Sequence, residues 1–122
     1  MTDARTVIAR TSTLEGFVQA ANLVDGVSVR DLAPLTTLVV STCNSRYRIV
    51  VSRNAAILVQ GGRFFPDVTD ARLEGSSMGG SFLKVAWIGV GLRMEISAAG
   101  QRIITSPVRA ISTEPAAAGS IH

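Results

Sequence analysis

Short apolar runs that alternate with polar residues recur along the chain, and turn-forming residues separate them at regular intervals. The clearest example is LRMEIS at 92–97, where three apolar residues alternate with an arginine and a glutamate. A period of two is typical of a β-strand with one buried and one solvent-facing side. The pattern therefore predicts inward side chains at Leu92, Met94 and Ile96 and outward side chains at Arg93 and Glu95.

Two segments rich in β-branched residues, 35–42 and 46–52, are predicted to form the hairpin around which the remaining strands assemble. Cys43, Asn44 and Ser45 form the polar turn between them. The first strand is apolar on both faces near its middle, which is typical of a strand buried on both sides. The second alternates, and its Tyr47 is expected in the core.

Downstream, Gly61-Gly62 predicts a tight hairpin, because glycine tolerates the positive φ of such turns. Pro66 is expected to end the second arm of that hairpin. Ser106-Pro107 separates two further strands, and because proline has no amide to donate to the ladder, it predicts an edge or a bulge. The remaining predicted strands are 27–32, 71–74, 82–88, 102–105 and 108–112.

One helix is predicted, over 12–24. Ser12 and Glu15 have the spacing of a capping box, in which each side chain bonds the other residue's backbone amide. Gly26 can end the helix in a left-handed conformation. Apolar residues recur on one helical face, at Leu14, Phe17, Val18 and Ala21.

About eight short strands at regular spacing predict an all-β fold, a small antiparallel barrel or sandwich with one short N-terminal helix. The expected organisation is a flexible arm at 1–11, a single β domain at 12–112 and a disordered tail at 113–122. A chain of 122 residues is long enough to form a hydrophobic core without disulfide or metal support.

Composition predicts self-association: hydrophobic residues make up 47% of the 122 positions and charged residues 17%. A small domain has much surface to keep polar, so a second copy is expected to cover part of it in a homo-oligomer. No membrane segment is expected, because the longest apolar run, 82–92, is shorter than the ~20 residues of a spanning helix. The N-terminus lacks the apolar stretch of a signal peptide. The single cysteine, Cys43, is typical of a reducing cytoplasm.

Several chemistries are disfavoured by the residues present. The one histidine, His122, is the last residue, which argues against Ser–His–Asp and Cys–His catalysis. A zinc site needs about four ligands from Cys, His and carboxylates, which one Cys and one terminal His cannot supply. We therefore predict no catalytic residue, metal or cofactor. Cys43 is interpreted as a small turn residue rather than a reactive thiol activated by Arg46.

The net charge of +3 comes almost entirely from arginine. This imbalance is too small to establish nucleic-acid binding by itself. Arginines nevertheless flank aromatic residues in two neighbouring hairpins, as in small barrels that bind single strands by stacking bases and pairing with phosphates. The residues predicted for that role are Arg46, Arg48, Arg63 and Phe65, the last expected to be exposed before Pro66.

The segment 75–81, GSSMGGS, is the candidate ligand loop, because glycine amides can form an anion-binding nest. No Gly-Lys-Ser/Thr follows, so it is not a phosphate-binding P-loop. Its candidate residues are Gly75, Ser76, Ser77, Gly79 and Gly80.

The sequence as a whole favours a non-enzymatic binding or assembly domain. The alternative is a small-barrel binder of single-stranded nucleic acid. A ligand carrier or enzyme that uses the 75–81 loop is the least favoured hypothesis.

Overall fold

The computed structural model describes residues 22–23, 25–78 and 82–114, and these form an almost purely β structure. The predicted all-β class is confirmed. A single 3-10 turn, Val29–Asp31, lies in the described part of the chain. The strands are β1 Asn22–Leu23, β2 Gly26–Ser28, β3 Thr37–Thr42, β4 Arg46–Val51, β5 Ala56–Gly61, β6 Phe65–Ser77, β7 Leu83–Val85, β8 Trp87–Gly89, β9 Arg93–Ala98 and β10 Gln101–Thr113.

Six of these strands form a closed ring. β3, β4, β5 and β6 make an antiparallel meander, β9 pairs with both β6 and β10, and β10 pairs with β3. Every pairing in the ring is antiparallel. The ring is therefore a small barrel, one of the two architectures that the strand pattern predicted.

Two strands of 13 residues each hold the ring together. β6 pairs first with β5 and then with β7 and β9, and β10 pairs first with β9 and then with β3. The prediction that Pro66 ends its strand is wrong, because β6 continues through it. The predicted bulge at Ser106-Pro107 is confirmed, because the β9–β10 register shifts between Ile104 and Pro107. The predicted separation into strands 102–105 and 108–112 is wrong, because both belong to the single strand β10.

The buried core is mostly aliphatic, with Tyr47 and Phe65 as its aromatic members. Alternate residues of the strands point inward, as the period-two pattern predicted, and Met94 and Ile96 of β9 are fully buried. β3 departs from the prediction of two buried faces, because Thr37, Val39 and Ser41 are only half-buried. The largest fully buried aliphatic side chains include Leu38, Ile49, Leu73, Ile88 and Ile111.

The predicted strand 82–88 is interrupted at Ala86, which has a φ of 56°. Its N–H donates to the Glu74 carbonyl at 3.0 Å, and its carbonyl accepts the Val29 N–H at 2.9 Å. These bonds hold the chain in a turn, so β7 pairs with β6 whereas β8 pairs with β2. The prediction of one continuous strand is therefore wrong.

The predicted helix at 12–24 and the arm at 1–11 lie outside the described residues, except for the helix end. There Asn22–Leu23 form β1, which pairs with β10. The predicted strand 27–32 is shorter, because the 3-10 turn follows β2. At the other end, β10 includes Thr113, and the Glu114 N–H donates to the Thr37 carbonyl at 2.8 Å. The sheet thus extends past the predicted domain end at 112.

Candidate functional site

A cleft of about 590 Å³ opens at the barrel end where the β3–β4 and β5–β6 turns meet. Its size is within the ~300–1,000 Å³ of pockets that hold an organic ligand. Asn44 and Ser45 of the first turn and Arg63 and Phe64 of the second line one side. Tyr47 of β4, Arg93 of β9 and residues 104–106 of β10 line the rest.

Glycine at position 62 allows the β5–β6 turn to lie against the ring of Tyr47. A Cβ there would be 2.7 Å from the Tyr47 hydroxyl oxygen, and the backbone has a φ of 62°. Tyr47 is itself buried and meets Phe65 edge to face, with ring centroids 6.5 Å apart. This packing positions Arg63 and Phe64, which follow Gly62 in the turn.

Hydroxyl groups at the cleft join the β3–β4 turn to β10. The Ser106 hydroxyl donates to the Thr42 hydroxyl at 2.8 Å and accepts the Asn44 N–H at 3.1 Å. The Thr42 hydroxyl donates to the Ser45 carbonyl at 3.2 Å and accepts the Ser45 N–H at 3.0 Å. Because these groups bond one another, they fix the shape of the turn.

Thr105 joins β10 to β9 through its side-chain hydroxyl. Its buried hydroxyl accepts the Met94 N–H at 3.1 Å and donates to the Ser106 carbonyl at 2.8 Å. The Thr105 carbonyl accepts one N–H of the Arg93 guanidinium at 3.3 Å. That bond uses one of five guanidinium donors, so the others remain for a ligand.

The cleft is electropositive. Arg63 and Arg93 line it, and the lining residues include no carboxylate. The ion pairs of the described chain join Arg48 to Glu114, Arg72 to Glu74 and Arg102 to Glu95, so none of them neutralises either cleft arginine.

The structure separates the four residues predicted for nucleic-acid contact. Arg63 lines the cleft, and Arg46 is exposed on β4 directly after the turn. Arg48 is also exposed, but its guanidinium lies 2.7 Å from the Glu114 carboxylate. Phe65 is 2% exposed and the prediction that it faces solvent is wrong, because it packs inward on Tyr47. Its neighbour Phe64, 57% exposed, lines the cleft instead.

The prediction of a loop is wrong at Gly75, Ser76 and Ser77, which are buried in β6, while ligand contact by these residues stays a prediction. A Cβ on Gly75 would lie 2.2 Å from the Lys84 carbonyl oxygen. The lack of a side chain at Gly75 therefore allows β6 and β7 to lie close together. The Ser76 hydroxyl donates to the Trp87 carbonyl, and the Ser77 hydroxyl donates to the Glu95 carboxylate at 2.6 Å. Gly79 and Gly80 lie outside the described residues.

Outside the cleft, the described residues offer one thiol and no grouped metal ligands. Cys43 is a free, exposed thiol in the β3–β4 turn. Across 22–23, 25–78 and 82–114, no three His, Cys, Asp or Glu side chains are grouped to hold a metal ion. No helix in the same ranges has the length and hydropathy to cross a membrane.

Comparison with protein-family models, curated proteins and solved structures gives no match to this chain. The chemistry of the cleft is therefore the basis for a functional proposal.

Proposed function

We propose that the protein is a non-enzymatic binding domain whose cleft binds an anionic organic ligand. The supporting observation is the pair of guanidinium groups at Arg63 and Arg93 in a lining without carboxylates. Guanidinium groups bind carboxylates and phosphates through paired, charge-assisted hydrogen bonds. An anion in the cleft would balance two cations that no described acidic residue pairs with.

The ligand we propose also has a planar or apolar part. Phe64 is mostly exposed and Ile104 is about half exposed, and both line the cleft beside the arginines. An inorganic anion would leave these apolar surfaces in water. The lining has serine and threonine hydroxyls but no histidine or carboxylate to activate them as a general base, which supports binding rather than catalysis.

A titration with adenosine 5′-monophosphate, followed by amide NMR signals of the full chain, tests this proposal. We expect the shifts to concentrate in the two turns around Asn44 and Phe64, and neutral adenosine to cause smaller shifts. Arg63→Ala removes a charge-assisted bond of about 1.5–3 kcal/mol and should weaken binding about tenfold or more.

The matched control is Arg53→Ala, since Arg53 is an exposed arginine in the turn at the other end of β4. We expect that variant to bind the nucleotide like the original chain. Shifts scattered away from the two turns, or equal weakening by both variants, would contradict the cleft as the binding site.

Self-association is a second candidate function, and exposed apolar side chains at the β6–β7 hairpin favour it. Met78 is 80% exposed and Phe82 is 84% exposed. The register that pairs Ser77 with Leu83 brings these two side chains to the same hairpin end. Contiguous exposed apolar surface is typical of a protein interface. We propose a second copy of the chain as the partner, in a reducing cytoplasm that suits the free thiol of Cys43.

Light scattering at micromolar concentration tests this second candidate. We expect a mass of at least a dimer, and Phe82→Glu should reduce it because a charge would be desolvated at the contact. Val68→Glu is the control, since Val68 is an exposed apolar residue on β6 away from the hairpin. A monomer mass for the original chain would exclude the proposal.

A further inference from the structure

We infer that the ligand of the cleft is a single-stranded nucleic acid whose backbone continues over the outer surface of β4, β3 and β10. This inference rests on the proposed function, because the first phosphate and base would occupy the cleft. The additional observation is that exposed arginines continue from the cleft across these strands.

Two arginines outside the cleft could contact the phosphates of a backbone that continues over these strands. Arg46 follows the cleft residue Ser45 and is exposed on β4, opposite Ser41 of β3. Ser41 in turn pairs with Ala110 of β10, and Arg109 is exposed at the register shift between Val108 and Ala110. Adjacent strands are ~4.8 Å apart, so β4 and β10 lie about 10 Å apart on either side of β3.

Neither arginine is neutralised within the described residues, where the ion pairs involve Arg48, Arg72 and Arg102. Arg48, two residues beyond Arg46 on the same strand, is paired with Glu114 at 2.7 Å. Arginines without an ion pair in the described residues therefore continue from the cleft to Arg46 and Arg109, across β4, β3 and β10. Along β4 the next arginine, Arg48, is already paired. A ligand with one phosphate would use only the cleft, whereas a chain of phosphates would use all these positions.

Phe64 provides the reason for a single strand rather than a duplex. Its exposed ring stands beside Arg63 in the cleft, and an unpaired base can stack on such a ring while its phosphate meets the guanidinium. In a duplex the bases are already stacked on one another and cannot reach the ring. Asn44 and Ser45, which line the cleft beside Arg63 and Phe64, carry an amide and a hydroxyl that can bond a base edge.

The test is fluorescence anisotropy of the full chain with labelled oligothymidylate and oligouridylate, with adenosine 5′-monophosphate as competitor. We expect affinity to rise from a trinucleotide to a dodecanucleotide, and a duplex of equal length to bind more weakly. Four phosphate contacts with a salt slope of about −0.7 each predict a roughly fifty-fold loss between about 50 and 200 mM salt. The two oligonucleotides separate DNA from RNA as the source of the same backbone.

Variants locate the contacts. Phe64→Ala should weaken oligonucleotide binding about tenfold through lost stacking, and Phe64→Leu, which keeps an apolar side chain but lacks the ring, should weaken it similarly. Arg46→Ala and Arg109→Ala should each lower the salt slope and weaken oligonucleotide binding more than nucleotide binding. Arg53→Ala serves again as the control, with binding expected to match the original chain.

The outcomes separate this inference from the proposed function. If the mononucleotide binds as tightly as the dodecanucleotide, or if duplex or polyglutamate competes equally well, the nucleic-acid inference is overturned and the anion-binding cleft stands. If neither the mononucleotide nor any oligonucleotide binds at low salt, both are overturned.

Discussion

Each face of β9 carries buried residues, but these are buried by different means. On the inner face, Met94 and Ile96 are fully buried among aliphatic side chains in the barrel. On the outer face, Glu95 is 5% exposed, and it accepts hydrogen bonds from Ser77 at 2.6 Å and from Arg102 at 3.1 Å. The alternation of a strand distinguishes its two faces, but it does not reveal whether the polar face is covered.

The two forms of burial differ in what they require. Aliphatic burial is favourable for almost any close-packed neighbour, at about 25 cal/mol per Å². A buried carboxylate is favourable only while specific donors satisfy it, and removal of one partner costs more than the pair contributes. The inner face of β9 is therefore expected to carry the stability of the barrel, and the outer face to fix how β6, β9 and β10 meet.

The largest effect should come from the inner face. We expect Ile96→Ala to lower the free energy of unfolding by about 2–5 kcal/mol, because the barrel cannot fully collapse onto the lost volume. Ile104→Ala on β10, opposite Glu95 and about half exposed, is the matched control and should cost about 1 kcal/mol or less. Urea unfolding measures both. Equal losses would show that the interior is not the main source of stability.

An intermediate effect is expected on the outer face. Glu95→Ala should cost about 1–3 kcal/mol, because the buried Ser77 hydroxyl loses the carboxylate that it bonds. The exposed Arg102 guanidinium can turn to water, which limits the loss. Glu74→Ala should change stability by about 0.5 kcal/mol or less, since Glu74 lies 3.8 Å from an exposed Arg72. If urea unfolding finds Glu95→Ala no more costly than Glu74→Ala, the polar face contributes nothing specific.

Among the three test variants, the smallest effect is expected at a residue that belongs to neither buried face. Cys43 is exposed in its turn, so Cys43→Ser should cost about 1 kcal/mol or less and shift the melting temperature by a few degrees at most. A thermal melt followed by circular dichroism measures the shift. Loss of soluble protein on this change would mean that the thiol has a structural or functional role.

The fold class was predictable because the evidence for it is local. Alternation and turn residues placed a strand at 46–52, close to the observed Arg46–Val51, and a turn at Gly61-Gly62, where the observed turn is residues 62–64. The errors fall where distant contacts override local preference. Alanine disfavours a positive φ, yet Ala86 is held there by backbone bonds to Glu74 and Val29. Such contacts cannot be read from the neighbouring residues.

The cleft was predictable in part. Arg63 was identified from its place beside aromatic residues, but the choice between Phe64 and Phe65 depended on where β6 begins. Because Phe65 opens the strand opposite Gly61, it points inward, and Phe64 remains in the turn. The wall that contains Ser106 was not predictable, since it reaches Asn44 from 62 positions away along the chain.

The closed ring also has a kinetic consequence. The meander from β3 to β6 and the β9–β10 hairpin join neighbouring segments, but closure pairs Leu38 with Thr113, 75 positions later. Pairing between distant segments slows folding, and barrels of this type fold on a timescale of about milliseconds to seconds. During synthesis, β3 must therefore wait with one edge unpaired until β10 has left the ribosome, and in that interval the nascent chain is most open to pairing with another chain.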